Sequence, residues 1–430
     1  MLSQLLAPAL ARRNIHYGWV MVAVTFLTAL VSAGAGAAPG VFILPLQKEF
    51  GWTTAEISTA VSIRLMLFGL MAPFAAALLN RFGLRNVAMV SISIVTASLL
   101  LSLGMTKIWQ LILLWGVVVG FGTGMTALVL SATVATRWFS ARRGLVVGML
   151  TASTATGQLI FLPALASFTE HYGWRIALAA MCGLLALAAL VVSLFMLDRP
   201  SDVGLRAYGD DGSQPQPAAP PPSNAIAAAA FTALRDASRT PVFWILFGTF
   251  FICGASTFGL IQTHLIPMCA DYGLPASSGA TLLAAMGVFD FVGTICSGYL
   301  SDRYDNRLLL FWYYGLRGLS LIFLPFTNFD LLGLSLFAVF YGLDWVATVP
   351  PTVKLTAQKF GPERANLVFG WIFCGHQLGS AAAAFAAGLS RTFLATYLPA
   401  FFAAGALCLI ASLAALAIDN KRRRAEPVVA

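Results

Sequence analysis

The amino-acid sequence predicts an all-α membrane protein, with twelve transmembrane helices in two pseudo-symmetric six-helix bundles. Three observations predict it. The 430-residue chain is 59% hydrophobic and only 10% charged, with a mean hydropathy of +0.83, where a soluble domain carries about 25% charged residues. Its apolar residues gather into twelve continuous runs, and a helix needs roughly 20 such residues to cross a bilayer. One basic loop also occurs twice, as Asn80-Arg81-Phe82-Gly83-Leu84-Arg85 and Asp302-Arg303-Tyr304-Asp305-Asn306-Arg307, offset by 222 residues (302 − 80). Each copy follows the second apolar run of a set of six.

The first set, within residues 1–197, comprises the runs 18–46, 57–79, 87–104, 108–135, 144–166 and 176–196, here spans 1 to 6. The second, within 241–430, comprises 242–268, 277–300, 308–326, 331–355, 367–389 and 397–417, spans 7 to 12. The runs are continuous rather than alternating, which selects helices over a β-barrel. Those longer than the hydrocarbon thickness are accommodated by tilt or a kink. Pro350-Pro351 is expected to bend span 10, because proline removes a helical hydrogen bond. Residues 198–240 separate the sets as a linker. Its Gln214-Pro215-Gln216-Pro217 and Pro220-Pro221-Pro222 cannot bury a core and predict an extended segment, followed by a short interfacial helix over 225–237.

Charge fixes the expected orientation. With the N-terminus inside, twenty of the 26 Lys and Arg fall in cytoplasmic loops, four fall outside (Lys48, Lys107, Arg175, Arg391), and two lie within spans (Arg64, Arg317). That asymmetry predicts a multi-pass protein of the cell membrane, inner or plasma, with both termini cytoplasmic. The net charge of +9 is therefore a topology signal, and no nucleic-acid partner is expected. Lys421-Arg422-Arg423-Arg424 reads as a solvated tail. The six cysteines have no metal or redox spacing and read as small buried hydrophobes.

Catalysis finds no support. The chain has no GxxxxGK[ST] loop for ATP and no Cys/His set with metal spacing, so neither enzyme activity, cofactor nor metal is expected. The candidate residues are instead charges inside the bilayer, which cost about 2.5–3.5 kcal/mol each on insertion scales. At ~1.5 Å per residue from the cytoplasmic helix ends, Asp290, Asp344 and His376 rise roughly 18–20 Å, Arg317 about 15 Å and Arg64 about 24 Å. Arg64 has no acid within helical reach in its own half, since Glu56 is eight residues away. Its counter-charge comes from across the interface, from a bound anion, or from snorkelling outward. Arg317 is expected to form a structural pair with Asp344 or Asp290. The acid it leaves, with Asp344 favoured, is the expected proton site, and His376 reads as a modulator, a hydrogen-bond donor to substrate or a packing residue. Gln158, Gln262, Gln377 and Thr126 are expected to line the cavity with Arg64, Asp344 and His376, whereas His264 is placed near the outer surface. Asn80, Arg81, Arg85, Asp302 and Arg303 are expected to form the inward gate, with Asp302 bridging the halves and Asn80 offering only neutral hydrogen bonds.

Several short motifs stand in a recognisable order. Tyr17-Gly18-Trp19 opens span 1, and Gly40-Val41-Phe42, Leu44-Pro45-Leu46, Glu49-Phe50-Gly51-Trp52 and Glu56-Ile57-Ser58 close it. Arg137-Trp138-Phe139 with Arg143-Gly144 joins spans 4 and 5. Tyr172-Gly173-Trp174-Arg175 precedes span 6, and Arg199-Pro200 with Asp202-Val203-Gly204-Leu205 follows it. With the duplicated loop, these resemble the major facilitator superfamily along the whole chain, and within it the oxalate/formate and monocarboxylate transporter branch. The resemblance implies two parallel halves with a mid-bilayer site between them. The chain departs from that pattern at Asn80, where the family has Asp, and at Thr294, where the branch often has a carboxylate-binding Arg four residues after an Asp.

The expected function is secondary active transport of a small, monocarboxylate-like organic anion by alternating access with proton symport, performed by a monomer. The alternatives are a proton-antiport exporter of drugs or metabolites and a non-transporting membrane sensor. Against the exporter, Gly157-Gln158-Leu159 stands where its Gly-Pro pair would. Against the sensor, only the linker and a short tail remain outside the spans.

Overall fold

The computed structural model describes residues 2–210 and 223–418. Among them are twelve helices long and apolar enough to cross a membrane, and no strand pairing beyond a lone bridge between Phe139 and Tyr208. Spans 1 to 6 are Gly18–Phe50, Thr54–Phe82, Leu84–Ser102, Ile108–Trp138, Arg143–Tyr172 and Trp174–Phe195. Spans 7 to 12 are Pro241–Asp271, Ala276–Arg303, Asn306–Thr327, Leu331–Phe360, Pro362–Leu394 and Leu398–Leu416. The helices overrun the apolar runs because capping, rather than hydropathy, sets their ends. Span 1 continues past Pro45 to Phe50, where Gly51 turns left-handed (φ 70°) and bonds back to the Gln47 carbonyl. Span 2 opens on a capping box in which Thr53 and Glu56 satisfy each other's backbone N–H.

Within each half, the last helix packs on earlier ones: span 6 on spans 1 and 3, span 12 on spans 7 and 9. Between halves, span 2 lies along span 11, span 5 against span 8, and span 1 against span 7. The face carrying the chain start and both basic loops is the terminal face, and the opposite one is the far face.

Span 10 is interrupted as expected, but not at its prolines. The helix Leu331–Asp344 stops, residues 345–348 form turns, and a second helix, Val349–Phe360, begins with Pro350 in its first turn. Proline is tolerated there because the first N–H groups of a helix have no intrahelical acceptor. Pro350-Pro351 thus start a helix instead of bending one.

The flanks of the linker are packed. Tyr208 donates its backbone N–H to the Trp138 carbonyl (2.8 Å) and receives the Ser140 N–H (2.9 Å), pinning that stretch to the first half. Residues Ser223–Ala237 are helical and lie on spans 2 and 11, with the Trp371 indole donating to the Ala230 carbonyl and Phe231 against Phe74. The Pro-rich residues 214–222 and the Lys421-Arg424 tail lie outside the described residues.

The two basic loops are built alike. In the first, Arg137 donates to the Asn80 side-chain Oδ1 (2.6 Å), and Arg85 donates to the Ser193 carbonyl at the end of span 6 (2.7 Å). In the second, Lys354 pairs with Asp302 (2.6 Å), and Arg307 donates to the Ile418 carbonyl just past span 12 (3.0 Å). Each loop therefore ties the second, fourth and sixth helices of its own half. Against the expectation that it bridges the halves, Asp302 in this state pairs with Lys354 of span 10, two helices on in the same half. Asn80 does offer a neutral acceptor. Arg81 and Arg303 lie over the rings of Phe82 (5.2 Å) and Tyr299 (4.0 Å). Hydrogen bonds from Arg307 hold the Asp305 carboxyl below its usual range against an opposing desolvation.

The Asp302 side chain is 79% exposed, so its pair contributes no more than about 1 kcal/mol. Asp302→Asn should leave thermal unfolding of the purified protein nearly unchanged. A loss of about 3 kcal/mol or more would show that the loop holds its half together.

Candidate functional site

A cavity of about 350 Å³ lies deep in the bundle. Among the described residues its lining comes from spans 1 to 6, except for Phe258 and Gln262 of span 7 and Gln377 of span 11. It reaches toward the terminal face at Leu130, Ser131, Ala132, Val147 and Leu150. At the far face the halves touch: Ala55 N–H donates to Thr392, Ser277 N–H donates to Glu170, and Ser58 packs on Gly388. Gly40 completes this seal. A Cβ there would stand 2.7 Å from the Gln262 carbonyl oxygen, so only glycine lets spans 1 and 7 approach so closely.

Among the described residues one charge lines the cavity, and it is Arg64. Its Nε is buried and has no hydrogen-bond partner in the structure. The guanidinium passes span 1 at Gly36, where a Cβ would be 3.6 Å from an Arg64 terminal nitrogen. No Asp or Glu is among the described lining residues. The rest of the polar lining is hydroxyl and amide. Thr28 and Thr123 direct their protons to the Val24 and Val119 carbonyls of their own helices (2.8 Å each), and Ser91 donates to the Gly122 carbonyl (2.7 Å). The groups placed to donate to a ligand include Arg64, the glutamine amides and the hydroxyls of Ser32, Ser131 and Thr154. Gln377 is fully buried, and neither its Nε2 nor its Oε1 has a partner. Arg64, Thr126, Gln158, Gln262 and Gln377 thus line one cavity. Thr28, Ser32, Thr123 and Thr154 were not foreseen. Their signal was the spacing of Thr28 with Ser32 and of Thr154 with Gln158, four residues apart on one helix face.

The remaining intramembrane charges do not line the cavity. Arg317 is fully buried and donates to the Asp344 carboxylate through Nε (2.6 Å), to the Asp344 and Trp345 carbonyls (2.5 and 3.0 Å), and to Cys253 Sγ (3.0 Å). Asp290 accepts from the Val346 N–H (2.9 Å) and the Thr294 hydroxyl (3.0 Å), and Ser297 donates to the Ala347 carbonyl (2.5 Å). Apart from the Cys253 and Thr294 bonds, these contacts reach the interruption of span 10. Breaking a helix in a membrane strands backbone groups that no water can satisfy, and this cluster satisfies them. Arg317 pairs with Asp344, one of its two expected partners. Asp344 is a correction as a cavity residue, because the pair turns it away from the lining. Asp290 likewise caps the broken backbone. His376 is walled by the rings of Phe250 (4.8 Å), Phe258 (5.4 Å) and Phe373 (5.8 Å) and is also outside the lining. His264 is completely buried and bonds the Ala384 carbonyl (2.9 Å), so it is not an outer-surface residue.

Comparison with known proteins places the chain. Residues 24–384 match the model of the Major Facilitator Superfamily. An uncharacterized MFS-type transporter of Bacillus subtilis is 24% identical, over 86% of this chain and 88% of the relative. Monocarboxylate transporter 13 of Bos taurus is 25% identical, over 92% of this chain and 88% of the relative. Among solved structures, a D-xylose–proton symporter superposes with a TM-score of 0.69 at 14% identity, covering 93% of this chain and 97% of that one, which speaks for the fold alone.

Replacing one member of a buried ion pair costs about 3–5 kcal/mol. Arg317→Met should be the more damaging single change, since it also frees two backbone carbonyls. Asp344→Asn, which keeps an acceptor for Nε, should be milder than Asp344→Leu. Thermal unfolding of the parent and these three variants would check the order. Arg317→Met milder than Asp344→Asn would contradict the backbone role.

Proposed function

Since the chain belongs to the Major Facilitator Superfamily, and is a multi-pass membrane transporter rather than an enzyme, we propose that it moves a small organic anion, monocarboxylate-like, by alternating access. The observation that carries this is the cavity's charge. Arg64 contributes one positive group with a planar donor fork, and among the described residues no carboxylate lines the cavity to neutralise it. A buried cation without a protein counter-charge favours an anionic ligand, and a guanidinium matches a carboxylate in two hydrogen bonds. The monocarboxylate transporters among the relatives support the same class. An exporter of hydrophobic cations would need the opposite sign.

The direction follows from the membrane potential. The basic excess supports a cytoplasmic terminal face, so this state is sealed outside and reaches inward. Import of an anion against a negative interior costs about 2.3 kcal/mol per charge per 100 mV, which a co-transported proton offsets. Arg317 takes Asp344 and leaves Asp290, yet we assign that proton to Asp344 for its second, unengaged oxygen, with Asp290 as the second candidate and His376 as a modulator. Asp344 Oδ2 holds Arg317, while Oδ1 is buried without a partner and can receive a proton with the Arg317 bond intact. Protonation there would loosen the clamp on residues 344–347 and so couple to movement of span 10. The halves that move are residues 1–197 and 241–430, joined by 198–240, with the chain acting as a monomer.

Two measurements test this. In a thermal-shift panel of small organic acids and hydrophobic cations, the acids should stabilise the parent, Arg64→Lys should weaken that effect roughly tenfold, and Arg64→Gln should abolish it. Stabilisation by cations, or an unchanged response in Arg64→Gln, would overturn the anion reading. For the proton, Asp344→Asn in vesicles should lose accumulation driven by a pH gradient while still exchanging substrate. Gradient-driven accumulation persisting in both Asp344→Asn and Asp290→Asn would move the site elsewhere, with His376 next to be tested.

A further inference from the structure

The contacts that seal the far face obey the internal duplication. Glu170, in the last turn of span 5, accepts the Ser277 N–H at the start of span 8 (2.8 Å). Thr392, in the last turn of span 11, accepts the Ala55 N–H at the start of span 2 (3.0 Å). Residues 170 and 392 are 222 apart, and so are 55 and 277, the same offset that relates the two basic loops. The first half caps a helix of the second, and the second half returns the same cap to the first.

Neither helix start can satisfy itself. The first N–H groups of a helix lack intrahelical acceptors. Span 8 is preceded by Pro275, whose side chain accepts nothing. Span 2 is preceded by Thr53, whose oxygen is already engaged by the Glu56 N–H, leaving that of Ala55. In both cases the N–H of the second helical residue is completed only by the other half.

We propose that Glu170 and Thr392 are the paired latches of the far-face gate, each a helix cap that exists only while the halves meet there. They are unequal latches. A carboxylate at a helix N-terminus makes a charge-assisted bond and complements the helix dipole, whereas a hydroxyl does neither. Glu170 therefore holds its side more firmly, and the span 2–span 11 side yields first. The proposal rests on the alternating-access reading, and the test separates the two.

Leu65 lines the cavity and belongs to an apolar seam between spans 2 and 11 with Val61, Ala381 and Ala384. A Leu65→Cys thiol is reached from the far face only through the gate. With a membrane-impermeant maleimide added at that face, and the protein without Leu65→Cys as the blank, Glu170→Ala should speed labelling by roughly two- to five-fold. Thr392→Ala should speed it less, and Glu170→Gln should fall between. Measurable labelling of the parent left unchanged by Glu170→Ala and Thr392→Ala would overturn the latches while leaving alternating access standing. No labelling in parent or variants would overturn alternating access, and the latches with it. Independently, a disulfide between Glu170→Cys and Ser277→Cys should stop uptake until reduced. Uptake continuing through a complete cross-link would overturn the proposal.

Discussion

The rule that every backbone N–H and C=O must find a partner inside hydrocarbon governs how this protein uses its charges. Unbroken helices meet the rule alone. Span 10 does not, because residues 345–348 leave the helix, and Arg317, Asp344, Asp290 and Ser297 converge on the exposed groups. The interruption and the ion pair are one feature: the break needs a donor and acceptors at that depth, and the pair is tolerable there because it is bonded on nearly every side. With those charges committed to the backbone, Arg64 is the charge that lines the cavity.

The duplication shows how such a feature arises on a common frame. Shifted by 222 residues, Arg317 and Asp344 correspond to Val95 and Gly122. Those two also touch: a Cβ on Gly122 would meet a Val95 methyl at 2.8 Å. One contact between equivalent helices is apolar and small in the first half, ionic and clamping in the second. Span 4 is also interrupted at the equivalent place, by turns at Met125 and Thr126, and there Ser91 donates to the Gly122 carbonyl. The second half has the longer break, over residues 345–348, and holds it with charge.

The spans, the repeated loops and the isolation of Arg64 were legible in the sequence because each is a one-dimensional property: run length, spacing, or the absence of an acid within helical reach. What failed needed rotation about a helix axis. Asp344 lies at the right depth for a cavity residue but faces Arg317, and hydropathy does not record facing. His264 was assigned by its height along span 7, whereas its neighbours Ala384 and Tyr397 bury it. Pro350-Pro351 marked the broken span correctly but not the break itself, because proline is as suited to a first helical turn as it is hostile to the interior. Asp302 found Lys354 rather than a partner across the interface, a choice set by packing between spans 8 and 10.

Gly40 and Gln262 are themselves 222 residues apart, and they face one another across the seam between spans 1 and 7. A residue opposed by its own counterpart sits on the axis that relates the halves. In a dimer of two identical chains the residue on that axis would have to be the same on both sides. Two glycines would surrender the amide that lines the cavity, and two glutamines would hold the backbones apart. Joining the halves in one polypeptide removes that constraint, so one side can be emptied to make room and the other can keep a side chain for the cavity.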